Sequence, residues 1–282
     1  MRQQQFILRG RDIMLDYLVF AVLWIILSLL GEYAAYIAGS HFYYFVASTQ
    51  GEDGQRAAQF ILYVAVPIFM FIVLMLIFSW LRFRNWRQEP GNSKIQTKFN
   101  KIYVSVWIAV SLFVNLFLFI HPTASAQQEY FNDGIEANKS SDTLEVDIVA
   151  RQWEWFYSYP QYGISQAVDD NGNDILVLPK GRAVKFVLRS YDPRHTYNNQ
   201  VDVIHSFWIP AFGIKTDVIP GETRYEYITP TEITSTDANP MARVQCAEVC
   251  GPGHPFMETP MKVVSADDFA KWIQKEKKLQ GS

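Results

Sequence analysis

Sulfur and imidazole side chains are concentrated in one short segment near the C-terminus. Residues 246–257 read CAEVCGPGHPFM and contain Cys246 and Cys250, the two cysteines of the chain, with His254 and Met257. A further imidazole, His205, lies on a separate predicted strand. Thiolate, thioether and imidazole ligands together select copper, or zinc if the thioether takes no part. The pattern therefore predicts a soft-metal site with ligands from two parts of the chain.

Four kinds of site are open to these residues. A simple disulfide is reasonable for two cysteines outside the cytoplasm, but it gives no role to His205, His254 or Met257. Structural zinc would use both cysteines and both histidines as a closed tetrahedral set, without the methionine. A mononuclear blue-copper site needs two histidines, one cysteine and a weak axial methionine, which leaves Cys246 as a spare thiol. A dinuclear copper site uses every one of these groups.

The elements that must position these residues read as short strands. Apolar and polar residues alternate over 143–151, which is typical of a half-buried strand. Further strands are predicted at residues 183–189, 201–208, 223–228 and 260–264. Many short strands separated by Gly, Pro and Asp indicate a sandwich or barrel, which we place at residues 143–282 after a polar linker over 123–142. The sequence SADD at 265–268 resembles a capping box and predicts a short helix over 267–278.

The first part of the chain, residues 1–122, predicts a membrane domain with three transmembrane helices. A bilayer core about 30 Å thick needs roughly 20 apolar residues in a helix. Residues 57–81 carry no charge over 25 positions, and residues 102–120 carry none over 19. The first predicted span, about 13–38, is interrupted by Asp16 and Glu32, and a signal segment is the alternative there.

Basic residues near the span ends predict the orientation. Residues 82–101 carry six Lys and Arg against one acidic residue, whereas residues 39–58 carry one Arg and two acidic residues. By the positive-inside rule, the N-terminus and the 82–101 loop are cytoplasmic. Three spans then place the C-terminal half on the outer, periplasmic side. We therefore expect an integral protein of a bacterial-type plasma membrane or an equivalent energy-transducing membrane.

The predicted outer domain is acidic. Residues 122–264 carry 19 Asp and Glu against 11 Lys and Arg. This balance argues against a nucleic-acid partner, whose phosphates recruit basic surfaces. It favours a cationic protein partner, because opposite charge raises the association rate.

The segment at 246–257 resembles the copper-binding loop, the CuA site, of cytochrome c oxidase subunit II. VIHSFWIP at 203–210 and GIKTDVIPG at 213–221 resemble the family's first-histidine strand and the turn after it, and QWEWFYSY at 152–159 resembles its aromatic-rich strand. The resemblance covers roughly residues 57–273. It implies transmembrane α-helices followed by an all-β cupredoxin-like barrel or sandwich, with a short C-terminal helix.

The resemblance also implies a ligand set for two copper ions. Both cysteines would bridge the two ions as thiolates. One copper would add His205 and a weak Met257, and the other would add His254 and the backbone carbonyl of Glu248. The Glu248 side chain would face the haem-copper catalytic subunit I and help to hold a magnesium ion.

Roles for the neighbouring residues follow from the same resemblance. Trp153 would be the point where electrons enter, whereas Trp155 is expected in the core. Asp202 and Glu154 are candidate docking carboxylates for a c-type cytochrome or similar carrier, with an ordinary solvated surface as the alternative for both. Electrons would pass through the copper pair to the catalytic subunit, in a complex with other membrane subunits that reduces O₂ to water with proton translocation. This oxidoreductase chain itself would carry no catalytic residue.

The sequence departs from the family in two places. The family usually has two spans, and the additional N-terminal span is predicted to pack against another subunit. No acidic residue lies three positions before Trp107, where the family associates a glutamate with proton uptake. The chain also lacks a Cys-x-x-Cys-His segment, so no haem is expected in it.

Three other functions stay open at this point. A CuA subunit of a haem-copper nitric oxide reductase would carry the same copper motif. A membrane-tethered copper chaperone would be expected to have an exposed, incomplete ligand set. An inert structural anchor is supported by the spans alone.

Overall fold

The computed structural model describes residues 2–39, 45–83, 101–191 and 202–281, with side chains from residue 14 onward. Most of the basic 82–101 loop lies outside the described residues, as does the start of the predicted strand at 201–208. The chain forms two compact units. One contains Met1–Phe42 and Arg56–Ser125, and the other contains Tyr43–Gln55 and Ala126–Ser282.

Three helices of the first unit are long and apolar enough to cross a membrane. They are α1 (Arg2–Gly39), α2 (Thr49–Phe83) and α3 (Lys101–Leu118). Large apolar side chains are exposed along all three helices, as expected where lipid or another membrane helix covers them. The chain is therefore a membrane protein.

Helices α1 and α2 contact each other through specific side chains. The Trp24 indole donates a hydrogen bond to the Pro67 carbonyl at 2.9 Å, and the Phe20 ring meets Phe71 edge-on at 5.4 Å. Asp16, the charge that interrupts the first apolar run, pairs with Arg82 at 2.8 Å. This pairing gives the carboxylate a partner within the unit.

A fourth helix, α4 (Ser125–Lys139), occupies most of the segment predicted to be a linker. The helical backbone breaks at His121, as expected for a residue that precedes proline. The Ala-Gln-Gln-Glu run at 126–129 then favours a new helix. Tyr130 and Gly134 fix α4 to the outer domain: Tyr130 donates a hydrogen bond to Glu226 at 2.6 Å, and Gly134 packs on the Tyr227 ring.

The outer domain is a sandwich of two sheets. The first sheet has the order β2-β1-β4-β7, and the second has the order β3-β10-β9-β5-β6, with β8 paired to β10. The pairs β1–β4 and β3–β10 are parallel and the remaining pairs are antiparallel. The strands are β1 (Leu144–Arg151), β2 (Glu154–Ser158), β3 (Leu176–Pro179), β4 (Val184–Ser190), β5 (His205–Ile209), β6 (Ile214–Val218), β7 (Arg224–Ile228), β8 (Thr234–Ser235), β9 (Arg243–Cys246) and β10 (Glu258–Val264).

Alternation along the strands builds the core between the sheets. Every second residue of β1 is fully buried, beginning with Leu144 and Val146. Helix α5 (Ala266–Leu279) closes the domain, and the Ser265 side chain caps it by accepting from the Asp268 N–H at 3.1 Å. The predicted fold of apolar helices long enough to cross a membrane, an all-β sandwich and a short C-terminal helix is confirmed.

Residues 45–51, between α1 and the body of α2, are part of the outer domain; we call them the connector. Ala47 is fully buried, and its N–H and carbonyl bond to Ala211 and Thr231 at 2.7 and 2.8 Å. The buried Ser48 hydroxyl donates to the Phe212 carbonyl at 2.8 Å. Because these contacts satisfy backbone groups within the domain, the connector must lie on the same side of a membrane as the sandwich.

Candidate metal centre

Two adjacent strands of the second sheet bring the sulfur and imidazole groups together. His205 begins β5, Cys246 ends β9, and the two strands pair with Phe207 opposite Cys246. The segment after Cys246 returns to the sheet at Met257, whose carbonyl accepts from the Cys246 N–H at 3.0 Å. We call residues 247–256 the ligand loop. Both ends of this loop are thus fixed by the sheet.

The side chains converge in a compact group. The Cys246 and Cys250 sulfurs are 3.8 Å apart. The His205 Nδ1 atom lies 3.7 Å from the Cys246 sulfur, and the His254 Nδ1 atom lies 3.7 Å from the Cys250 sulfur. The Met257 sulfur lies 3.8 Å from the Cys250 sulfur. Each thiol therefore has its own imidazole neighbour.

The group is buried on one side and reaches the surface on the other. His205, both cysteines and Met257 are buried, whereas His254 is half-buried. The Glu248 carbonyl accepts from the Cys246 thiol at 3.2 Å, and the Glu248 side chain is exposed. Glu248 thus presents its main chain to the sulfurs and its carboxyl group to the outside.

Burial sets the protonation of the metal-free group. It lowers the pKa of His205 to about 4, with a further contribution from the nearby His254, so the imidazole is neutral at neutral pH. The buried Nε2 atom of His205 has no hydrogen-bond partner among the described residues. Burial and the adjacent Cys246 raise the pKa of the Cys250 thiol to about 12. A cation is therefore needed to convert this thiol to a thiolate at neutral pH.

The geometry fits a metal better than a disulfide. Both cysteines are free, and a sulfur separation of 3.8 Å far exceeds a disulfide bond of about 2.05 Å. Thiolate–metal bonds of about 2.3 Å let both sulfurs contact one ion at this separation. The ligand atoms of His205, Cys246 and Cys250 all lie within 4.8 Å of one another. This cluster can bind copper, and the buried Met257 thioether beside Cys250 favours copper over zinc.

Trp153 lies directly against the ligand loop. Its indole N–H donates to the Cys250 carbonyl at 3.1 Å. A Cβ atom added at Gly253 would lie only 2.3 Å from Trp153 Cδ2, so the glycine is what lets the indole approach. The Trp153 side chain is 37% exposed, and therefore it reaches from the loop to the surface.

Two further residues, Trp155 and Gln152, contact the centre, although the sequence indicates no role for them there. Trp155 is buried as predicted, but its ring also meets His205 at 6.0 Å, and its N–H points to the Met257 carbonyl at 3.4 Å. Gln152 donates to the Cys250 carbonyl at 2.7 Å. The adjacent Trp153 was the one available signal for Gln152.

The two predicted docking carboxylates differ in the structure. Asp202 is 8% exposed, and its docking role stays a prediction. The segment that leads into β5 is held against β4, where Ser190 donates to the Val203 carbonyl at 2.6 Å. Glu154 is exposed, and it pairs with Arg151 at 2.6 Å.

Comparison with known proteins places the outer domain in a described family. Residues 144–265 match the family model "Cytochrome C oxidase subunit II, periplasmic domain". The cytochrome c oxidase subunit 2 of Bacillus subtilis is 28% identical over 205 residues, which cover 72% of this chain and 53% of that protein. This chain therefore spans about half of the Bacillus protein.

Two Bradyrhizobium proteins are also similar. The alternative cytochrome c oxidase subunit 2 of Bradyrhizobium diazoefficiens is 25% identical over 239 residues, covering 76% of this chain and 77% of that protein. The crystal structure of the periplasmic domain of cytochrome oxidase subunit II from Bradyrhizobium japonicum is 26% identical, with a TM-score of 0.39. The match covers 48% of this chain and 94% of the Bradyrhizobium domain.

Proposed function

We propose that this chain, whose residues 144–265 match the cytochrome c oxidase subunit II family, carries electrons from a soluble donor to a haem-copper catalytic subunit. The proposed centre would hold two copper ions with Cys246, Cys250, His205, His254, Met257 and the Glu248 carbonyl as ligands, and these ions would supply the electron-transfer chemistry. The complex reduces O₂ to water, and this chain supplies the electron path.

One observation carries this proposal: two free thiols lie 3.8 Å apart, and each has a different imidazole beside it. A single tetrahedral ion bound by both cysteines and both histidines would leave the buried Met257 sulfur, 3.8 Å from the Cys250 sulfur, without a role. Two bound copper ions would share one transferred electron, which limits the change in geometry on transfer. The protein's part is to fix the ligands and exclude water, and His205 and both cysteines are buried as that requires.

The surface near Trp153 supports docking of a cationic electron donor. The indole is partly exposed and is one hydrogen bond away from the Cys250 main chain. The domain around it is acidic, which attracts a basic partner over long range. We therefore assign Trp153 as the point where electrons enter and a c-type cytochrome as the donor.

The exposed part of the ligand loop is suited to contact with the catalytic subunit, which accepts the electrons. Val249 is 78% exposed and Phe256 is 84% exposed, although both are apolar. Exposed apolar groups beside a functional site are typical of a protein interface. Glu248 directly precedes Val249 in the ligand loop, and we assign its exposed carboxyl group to a shared magnesium ion at that interface.

The proposed orientation has the N-terminus inside and the copper domain outside. The basic 82–101 loop supports it by the positive-inside rule. The connector also supports it, because residues 45–51 bond to the sandwich although they precede the second span. Both observations support an arrangement in which the α1–α2 connection and the sandwich share one side of the membrane.

The test is the Cys250→Ser variant in the intact membrane complex. We expect electron transfer from reduced c-type cytochrome to the haems to be lost, because one shared thiolate is gone, while haem content and subunit composition are retained. Unchanged turnover would contradict the proposal. The unaltered complex should consume O₂ with this donor; consumption of nitric oxide instead would identify a nitric oxide reductase.

A further inference from the structure

We propose that Gln152 is a positioning residue of the copper centre, which holds the carbonyl of the bridging ligand Cys250 together with Trp153. This inference rests on the proposed copper function. In this role the Gln152 side chain does not bind the metal or the electron donor. It acts on the centre through the main chain of a ligand residue.

Two side-chain donors converge on one carbonyl oxygen. Gln152 Nε2 donates to the Cys250 oxygen at 2.7 Å, and Trp153 Nε1 donates to the same oxygen at 3.1 Å. A carbonyl oxygen has two lone pairs, so both bonds can form at once. Among the described residues, these two side chains are the ones seen to donate hydrogen bonds to the Cys250 carbonyl.

The position of Gln152 makes this contact a link between the two sheets. Gln152 and Trp153 form the turn between β1 and β2 of the first sheet, whereas the ligand loop belongs to the second sheet. The sheet fixes the loop at Cys246 and Met257, but Cys250 lies midway along it. The two bonds from the β1–β2 turn therefore hold the part of the loop that the strands do not reach.

Close packing at the same place restricts the loop further. A Cβ atom at Gly251 would lie 3.1 Å from Gln152 Nε2, and one at Gly253 would lie 2.3 Å from the Trp153 ring. Gly251 also has a φ of 119°, a conformation that favours glycine. The loop is thus shaped to receive the amide and the indole.

The amide N–H also has an electrostatic effect on the centre. It places a partial positive charge beside the main chain of a thiolate ligand, which stabilises the more electron-rich, reduced state. Removing this donor should lower the reduction potential of the copper centre. It should also loosen the loop and speed the loss of copper.

The experiment compares Gln152→Leu with a matched control in the intact complex. Gln161→Leu also removes an amide that donates to a carbonyl, that of Thr143, at 2.7 Å. We expect Gln152→Leu to release copper to a chelator at least about tenfold faster than the unaltered chain, within the range for lost supporting contacts of metal ligands. The potential should shift downward, and Gln161→Leu should match the unaltered chain in both measurements.

A second variant separates the hydrogen bond from the shape of the side chain. Gln152→Glu keeps the shape but replaces the donor with an oxygen, so it should lower the potential at least as much as Gln152→Leu. Unchanged potential and copper release in both Gln152 variants would overturn the inference. Failure of the unaltered chain to bind copper would instead overturn the proposed function, so the two failures are distinguishable.

Discussion

The two sulfurs of the centre have unequal surroundings. Cys246 faces the fully buried His205, whereas Cys250 faces the half-buried His254 and the buried Met257. A thioether is a weak ligand for copper, so it adjusts the electronic properties of the centre more than its affinity. We therefore expect the methionine to affect the potential and the cysteines to determine whether copper is held.

This difference predicts the behaviour of Met257→Leu. Leucine keeps the apolar volume and removes the sulfur, so copper content should stay unchanged while the reduction potential and visible spectrum shift. Met261→Leu is the matched control, because Met261 is also buried and lies on β10 opposite Leu176 of β3. Equal spectra and potentials for the two variants would show that the Met257 sulfur is not a ligand.

At this scale the sequence reveals groups with distinctive chemistry and misses those without it. Cysteine, histidine and methionine within one segment identify a metal site directly. The Glu248 main chain could be inferred only by resemblance, since any residue supplies a carbonyl. The contact of Gln152 joins residues 98 positions apart, and an amide side chain carries no metal signature.

Helix α4 is a polar segment that packs on the outer domain, although its sequence predicts a linker. Its low apolar content led to the assignment of a linker. The docking face depends on Tyr130 and Gly134, whose partners Glu226 and Tyr227 lie on β7. Burial raises the pKa of Glu226, and hydrogen bonds from Thr216 and Tyr130 partly offset that effect. The contact therefore depends on the tertiary position of β7, which the sequence of α4 does not indicate.

The Tyr130→Phe variant tests this docking. It leaves the buried Glu226 carboxylate with one donor fewer, which should cost about 1–3 kcal/mol of unfolding free energy at neutral pH. In the Tyr130→Phe variant the pKa of Glu226 in the folded state should rise further. The loss of unfolding free energy should therefore shrink as pH falls, because the carboxyl group is then protonated in both the folded and the unfolded state. Thermal unfolding of the full chain across this pH range measures it.

Tyr225→Phe supplies the control for that measurement. Tyr225 lies next to Glu226 on β7 and is 51% exposed, so loss of its hydroxyl group should change stability little. A loss for Tyr130→Phe no larger than for Tyr225→Phe would show that α4 does not depend on Glu226.

In the whole molecule, patterns with a clear period were predictable and irregular ones were not. The alternation of β1 and the charge-free runs of α2 and α3 identify these elements from the sequence. β3 is buried at all four positions and β8 has two residues, so neither has an alternating pattern. The connector is short and mixes apolar with uncharged polar residues, and its place in the outer domain depends on backbone hydrogen bonds that no side-chain pattern indicates.

The dinuclear copper centre is tested by the copper content of the purified complex together with its electron paramagnetic resonance spectrum. We expect two copper ions in this chain and one unpaired electron whose hyperfine splitting arises from both nuclei. The Cys250→Ser variant should lose that shared signal. One copper ion with the splitting of a single nucleus, or zinc in its place, would rule out a dinuclear copper centre.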